Sequence, residues 1–188
     1  MKKYALFALV VIVHVPNTAS TQHASSRPAP AFGSSADVNY AKTLWKALRK
    51  TRLVGESSIG STPYKGTHPH GTILETLDGV IKVTGDKGEV IVKKNYGGPG
   101  TSKTNVADNP KKYLKSITVM FRRPNGYDPD NKDWFWVKYA PNGLILNNPA
   151  GKPLAGRVAK GVRGKGCIDC HKTAPGGDYV FNHDRYAR

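Results

Sequence analysis

The sequence predicts a mainly β domain, an antiparallel sheet with one or two helices. Three observations carry this. Short runs of β-branched and aromatic residues recur through the middle of the 188-residue chain. Gly, Pro and Asn/Asp turn signals separate them at regular spacing. One amphipathic helix pattern precedes them all.

Residues 1–20 read as a secretory signal. Lys2 and Lys3 form a basic start, Tyr4 to Val15 is apolar apart from His14, and Pro16 to Ser20 supplies small residues for cleavage. The run is too short for a membrane span. Residues 21–36, rich in Ser, Ala and Pro, read as a disordered leader. Residues 37–188 then form a single domain.

Asp37 is the expected N-cap of the helix. Val38, Ala41, Leu44, Trp45 and Leu48 recur at helical spacing, with Lys42, Lys46, Arg49 and Lys50 off that face. The helix should pack on the sheet, with Trp45 in the core. Residues 55–71 read as a loop carrying His68 and His70, which are loop histidines or candidates for a metal or a distal ligand.

Thr72 to Leu77 reads as a strand closed by Asp78-Gly79, and Val80 to Thr84 as a second. A turn at Gly85 to Gly88 follows. In Glu89 to Lys94, Val90, Val92 and Lys94 point one way, and Ile91 and Lys93 the other. Asn95 to Ser102 reads as a loop and Leu114 to Phe121 as a strand on which Thr118 and Met120 share a face. Asp133 to Tyr139 is an aromatic strand, with Trp134 and Trp136 opposite Phe135, Val137 and Tyr139.

The chemistry is concentrated in Cys167-Ile168-Asp169-Cys170-His171. This spacing attaches a c-type haem: two thiols form thioethers with the porphyrin vinyls, and the histidine becomes an iron ligand. A zinc site needs four good ligands, and these are the only two cysteines of the chain. A thioredoxin-like pair and a plain disulfide are the other readings. An exported chain favours haem c, because that group is attached outside the bacterial cytoplasm. The expected location is periplasmic.

Formal net charge is +16, and loss of Lys2 and Lys3 leaves +14. A solvated basic surface accounts for this, as does docking to an acidic redox partner protein. No nucleic-acid motif is present.

Several of these residues resemble the cytochrome P-460 and cytochrome c′-beta family of periplasmic β-sheet haem proteins. The similarity lies in Tyr40 to Trp45, in Gly88 to Tyr96 (which looks like the family's "DGxVxVKE" strand), in Asp133 to Val137, and in Cys170-His171-Lys172 followed by Asp178 to Phe181. It covers about residues 40–183. The resemblance implies an antiparallel β fold, a homodimer and one five-coordinate haem c. In the P-460 branch it implies a lysine joined covalently to the porphyrin, and hydroxylamine oxidation. In the c′-beta branch it implies binding of nitric oxide or carbon monoxide without turnover. The matching lysine is Lys93; Lys94 stands where the family often has Glu. The hydroxylamine-oxidising members carry a distal carboxylate on the next strand, where this chain has Thr118. Removing protons from hydroxylamine needs such an acceptor.

The cofactor-binding residues are therefore Cys167, Cys170, His171 and Lys93, with His171 on iron and Lys93 a candidate catalytic residue. Lys93 has three readings: a solvated strand lysine, an iron ligand, or the porphyrin-linked residue. Met120 is a core residue or a sixth ligand. Tyr96, Phe121, Phe135 and Tyr139 are expected to line the distal side, and Asp178 to hydrogen-bond the His171 ring. Three functions follow: P-460-like redox chemistry on a small nitrogen compound, gas binding without turnover, or electron transfer through a six-coordinate iron.

Overall fold

The computed structural model describes residues 32–160 and 166–181. The proposed secretory signal lies outside the described residues. Helix α1 spans Ser35–Lys50. The strands are β1 (Tyr64–Lys65), β2 (Ile73–Val83), β3 (Asp86–Tyr96), β4 (Leu114–Arg122), β5 (Trp134–Tyr139) and β6 (Ala155–Gly156). They form one six-stranded sheet in chain order, every neighbouring pair antiparallel. Two short helices, α2 (Lys103–Asp108) and α3 (Pro110–Tyr113), cross from β3 to β4, and α4 (Cys167–His171) lies near the C-terminus. No helix among the described residues is long and apolar enough to cross a membrane.

Helix α1 starts earlier than expected. Ser34, not Asp37, is its N-cap: the Ser34 hydroxyl accepts from the Asp37 N–H at 3.1 Å, and the Asp37 carboxylate accepts from the Ser34 N–H at 3.1 Å. The reciprocal box satisfies donors at both residues. Residues 33–36, assigned by composition to the leader, thus belong to the domain, and the Gly33 N–H donates to the Ala155 carbonyl at 2.7 Å. Ser34→Ala is expected to cost about 1 kcal/mol, read as a lowered thermal midpoint with an unchanged circular dichroism spectrum.

The expected break at Asp78-Gly79 does not occur. β2 runs unbroken through both, which pair with Ile91 and Val90. Eleven paired positions leave only Thr84 and Gly85 as the hairpin loop. Both have positive φ, 51° and 95°, the requirement of a two-residue type I′ turn. The ladder prevails over the local Asp-Gly signal because each pairing on β2 is continuous with the next. Gly88 is needed for a different reason: a Cβ there would stand 2.0 Å from the Arg122 carbonyl.

The sheet is covered on both faces. One face carries Val90, Val92, Ile117, Val119, Phe121, Phe135, Val137 and Tyr139 and packs on Ala41, Leu44 and Leu48 of α1. Those three helix residues are fully buried. Trp45 rests on Tyr139, ring centres 4.8 Å apart, and is half-buried. The other face carries Met120, Trp134 and Trp136 and packs on Ile168 and Tyr179 of the C-terminal segment. Strand alternation therefore gives one face to the helix and the other to the cysteine motif.

Candidate functional site

The C-terminal segment is fastened to the second face by its own side chains. The Arg122 guanidinium donates to both Asp178 carboxylate oxygens at 2.9 Å and to Glu89 at 2.8 Å. It also lies over the Trp134 ring, 4.1 Å from its centre. The Trp134 indole N–H donates to the Asp178 carbonyl at 3.1 Å. The Tyr179 hydroxyl donates to the Asp130 carbonyl and to Asn131, both at 3.2 Å. Asn131 is held by Asp128, whose buried carboxylate also pairs with Lys160 and Arg157.

These anchors decide how His171 is held. Its ring is buried, and its Nδ1 is 2.6 Å from the Tyr179 carbonyl. A carbonyl only accepts, so Nδ1 carries the proton and Nε2 keeps its lone pair. Tyr179 sits at φ 64°, an uncommon conformation for a non-glycine residue. The expected bond from Asp178 to His171 is thus not the one formed. The carboxylate is engaged by Arg122, and the next residue's carbonyl takes its place. The segment Asp178 to Phe181 does pack beside His171 as expected, with the Phe181 ring 5.3 Å away.

Facing His171 is a small cavity. Its lining includes His70, Ile91, Lys93, Thr118, Met120, Trp136, Cys167, Val180 and Phe181. Lys93 and His171, predicted as site residues from sequence, are therefore brought together. So are Thr118 and Met120, on the shared face predicted for them. Cys167 borders the cavity, while Cys170 is exposed; both thiols are free. Burial pushes the Cys167 thiol up to about 11. No carboxylate lines the cavity among the described residues.

The aromatic lining foreseen from sequence is corrected. Phe121, Phe135 and Tyr139 lie on the opposite face, under α1. Tyr96 packs with Ile73, Val106 and Tyr113, and its hydroxyl donates to Glu75 at 2.5 Å. The side-chain period fixes this, because Phe121 follows Met120 and Phe135 precedes Trp136. Trp136, Phe181 and Val180 supply the apolar lining instead.

His70, one of the two loop histidines left open as candidates for a metal or a distal ligand, stands in this lining. Its ring centre is 6.0 Å from that of His171, with the planes at 86°. Its Nδ1 is 3.4 Å from the Thr118 hydroxyl. Desolvation lowers His70 to about 3, aided by Lys93, His171 and Lys138. Desolvation likewise brings His171 to about 4, opposed by the Tyr179 carbonyl and aided by Lys93. Both rings are neutral at neutral pH, and a neutral imidazole is the form that binds metal. No sequence spacing links residue 70 to residue 171; the β2–β3–β4 ladder does. By contrast, His68 is exposed.

The donor set fits a c-type haem. Two free thiols lie one turn of helix apart, and the histidine after them lines the cavity with its Nδ1 engaged by the Tyr179 carbonyl. The Trp136 indole N–H is buried without a hydrogen-bond partner, so this wall offers a donor with no acceptor among the described residues. The enclosed space, about 30 Å³, suits a water or a diatomic and not a whole porphyrin. A groove of about 420 Å³ shares Ile91 and Val180 with it. Comparison with protein-family models, curated proteins and solved structures gives no match to this chain.

Proposed function

We propose that the chain is an exported mono-haem c protein of the cytochrome P-460 and cytochrome c′-beta kind, which binds a small gaseous or nitrogen-containing ligand at its iron. The observation that carries this reading is the meeting of His171, its Nε2 unencumbered, with Lys93, Thr118 and Met120 on one sheet face. Cys167 and Cys170 would hold the porphyrin, and His171 the iron. When bound, the group supplies an iron centre for ligand binding and one-electron chemistry. The chain's part is positioning and exclusion. The Tyr179 carbonyl orients His171 and raises its basicity. Ile91, Met120, Trp136 and Val180 make an apolar wall that admits neutral ligands and disfavours charged ones.

A second reading is hydroxylamine oxidation with Lys93 joined to the porphyrin. It is favoured by the place of Lys93 in the cavity lining. It is weakened by the lack of a lining carboxylate: Glu75 is turned to the other side, where it pairs with Tyr96 and Lys94. The basic surface suits an acidic redox partner, and a homodimer is proposed on the resemblance alone.

The reduced protein is expected to change its Soret band with carbon monoxide and nitric oxide, and to give no steady turnover of hydroxylamine with an artificial electron acceptor. No response to either gas would sink the ligand-binding reading. Sustained turnover, together with a haem peptide that contains Lys93, would put the second reading in its place.

A further inference from the structure

We infer that Arg122 is a positioning residue for His171: by clamping Asp178 it seats the Tyr179 carbonyl on the His171 ring, and so sets how strongly that ring donates to iron. This rests on the haem c reading above and adds control of the same ligand from a neighbouring row of the sheet.

Ile91, Met120 and Trp136 are direct neighbours across β3, β4 and β5, and they line the cavity beside His171. Two residues along β4 and β5, on the same face, Arg122 is paired with Trp134. The Arg122 guanidinium directs each of its nitrogens to a different partner. Nε donates to Glu89 at 2.8 Å, Nη1 to the Lys132 carbonyl at 2.7 Å, and Nη2 to both Asp178 carboxylate oxygens at 2.9 Å. It lies over the Trp134 ring, whose indole N–H donates to the Asp178 carbonyl at 3.1 Å. Residue 178 is thus gripped by its side chain and by its backbone at once.

The chain before Asp178 does not fix Tyr179 by itself. Gly176 and Gly177 stand at φ 83° and 69°, and among the described residues no non-adjacent atom comes within 4 Å of where their Cβ atoms would be. Glycine has the widest backbone freedom of any residue, so this turn can move unless Asp178 is held. Tyr179 itself sits at φ 64°, a conformation that persists only where the surroundings impose it. The grip on Asp178 imposes it, helped by the Tyr179 hydroxyl on Asp130 and Asn131. The result is a Tyr179 carbonyl 2.6 Å from His171 Nδ1. A carbonyl that draws on the Nδ1 proton leaves the ring richer in electrons, which strengthens its bond to a metal and favours the more oxidised iron.

The test uses the full chain exported and matured with haem. Arg122→Gln, Asp178→Asn and the double variant are compared with wild type by the iron–histidine stretch of the ferrous protein and by reduction potential. Each single variant is expected to lower the stretching frequency. Each should also raise the ferrous-to-ferric ratio at fixed potential by about tenfold, which is about 59 mV for one electron. The double variant should shift no further than either single variant, because Arg122 acts through Asp178. Phe135→Ala, on the opposite face, is the control for lost stability and should keep the wild-type stretch and potential.

Wild-type values in both single variants, at full haem content, overturn the inference and leave the haem reading standing. So do single shifts that add in the double variant, and so does a Phe135→Ala shift as large as that of Arg122→Gln. Should Arg122→Gln fail to accumulate, Asp178→Asn, a conservative change at an exposed side chain, decides by its own shift. A wild-type chain that takes up no haem defeats the haem reading itself, a result distinct from all of these.

Discussion

Phe135→Ala is expected to lower stability by about 3–5 kcal/mol, a large share of the roughly 5–15 kcal/mol typical of a domain. Phe135, the second residue of β5, is fully buried. Its ring meets Tyr40 at 4.9 Å and Tyr127 at 6.1 Å. Removing it opens a cavity between β5 and α1, and the paired backbone at Phe121 cannot collapse to fill it. Urea unfolding of the purified variant measures the loss as a lowered midpoint at unchanged slope. Because Phe135 faces α1 and not the cavity, folded Phe135→Ala protein should keep the wild-type spectrum of any bound haem. A changed spectrum would mean that the two faces are not independent.

The Cys167→Ser, Cys170→Ser double variant is expected to lose all covalently held haem while keeping the sheet. Neither cysteine sits in the α1-side core, and Cys170 is exposed. Their replacement should cost well under the loss at Phe135. Each single variant keeps one thioether and so should hold haem under denaturing extraction in reduced amount. Haem retained by the double variant after acid–organic extraction would show that the cysteines do not carry it. A double variant that unfolds would show that Cys167, which borders the second cluster, matters more to packing than its half-buried state implies.

Much of the sheet was legible because its strands alternate cleanly. The two-faced assignment of Ile91 and Lys93 against Val90 and Val92 holds, as does that of Trp134 and Trp136 against Phe135, Val137 and Tyr139. Alternation cannot say which set faces α1, and the expected distal lining of Phe121, Phe135 and Tyr139 went to the wrong face for that reason. The hairpin turn was misplaced by local composition. Gly85 to Gly88 reads as a loop, yet Asp86 to Gly88 pair with β2 and only Thr84-Gly85 turn. β1 and β6 hold two residues each, too few to show a period. Helices α2 and α3 are one turn or a little more and rest on side-chain caps at Ser102 and Asn109, short-range signals that a helical period does not reveal.

The site divides in the same way. The Cys-x-x-Cys-His spacing is local, so its residues could be named from the sequence. The partner of His171 could not, because choosing the Tyr179 carbonyl over Asp178 depends on Arg122, 56 residues away from Asp178. His70 is a still longer-range case. The local sequence offers His68 and His70 alike and cannot choose between them; His70 lines the cavity while His68 is exposed.

The most direct test of the whole account is the haem content of the wild-type chain, expressed with an export signal in a bacterium that matures haem c. The account predicts one haem per chain, resistant to denaturing extraction, and a digest in which the peptide containing Cys167, Cys170 and His171 carries it. A chain of unmodified mass, with both thiols reactive toward a thiol reagent after unfolding, would contradict it.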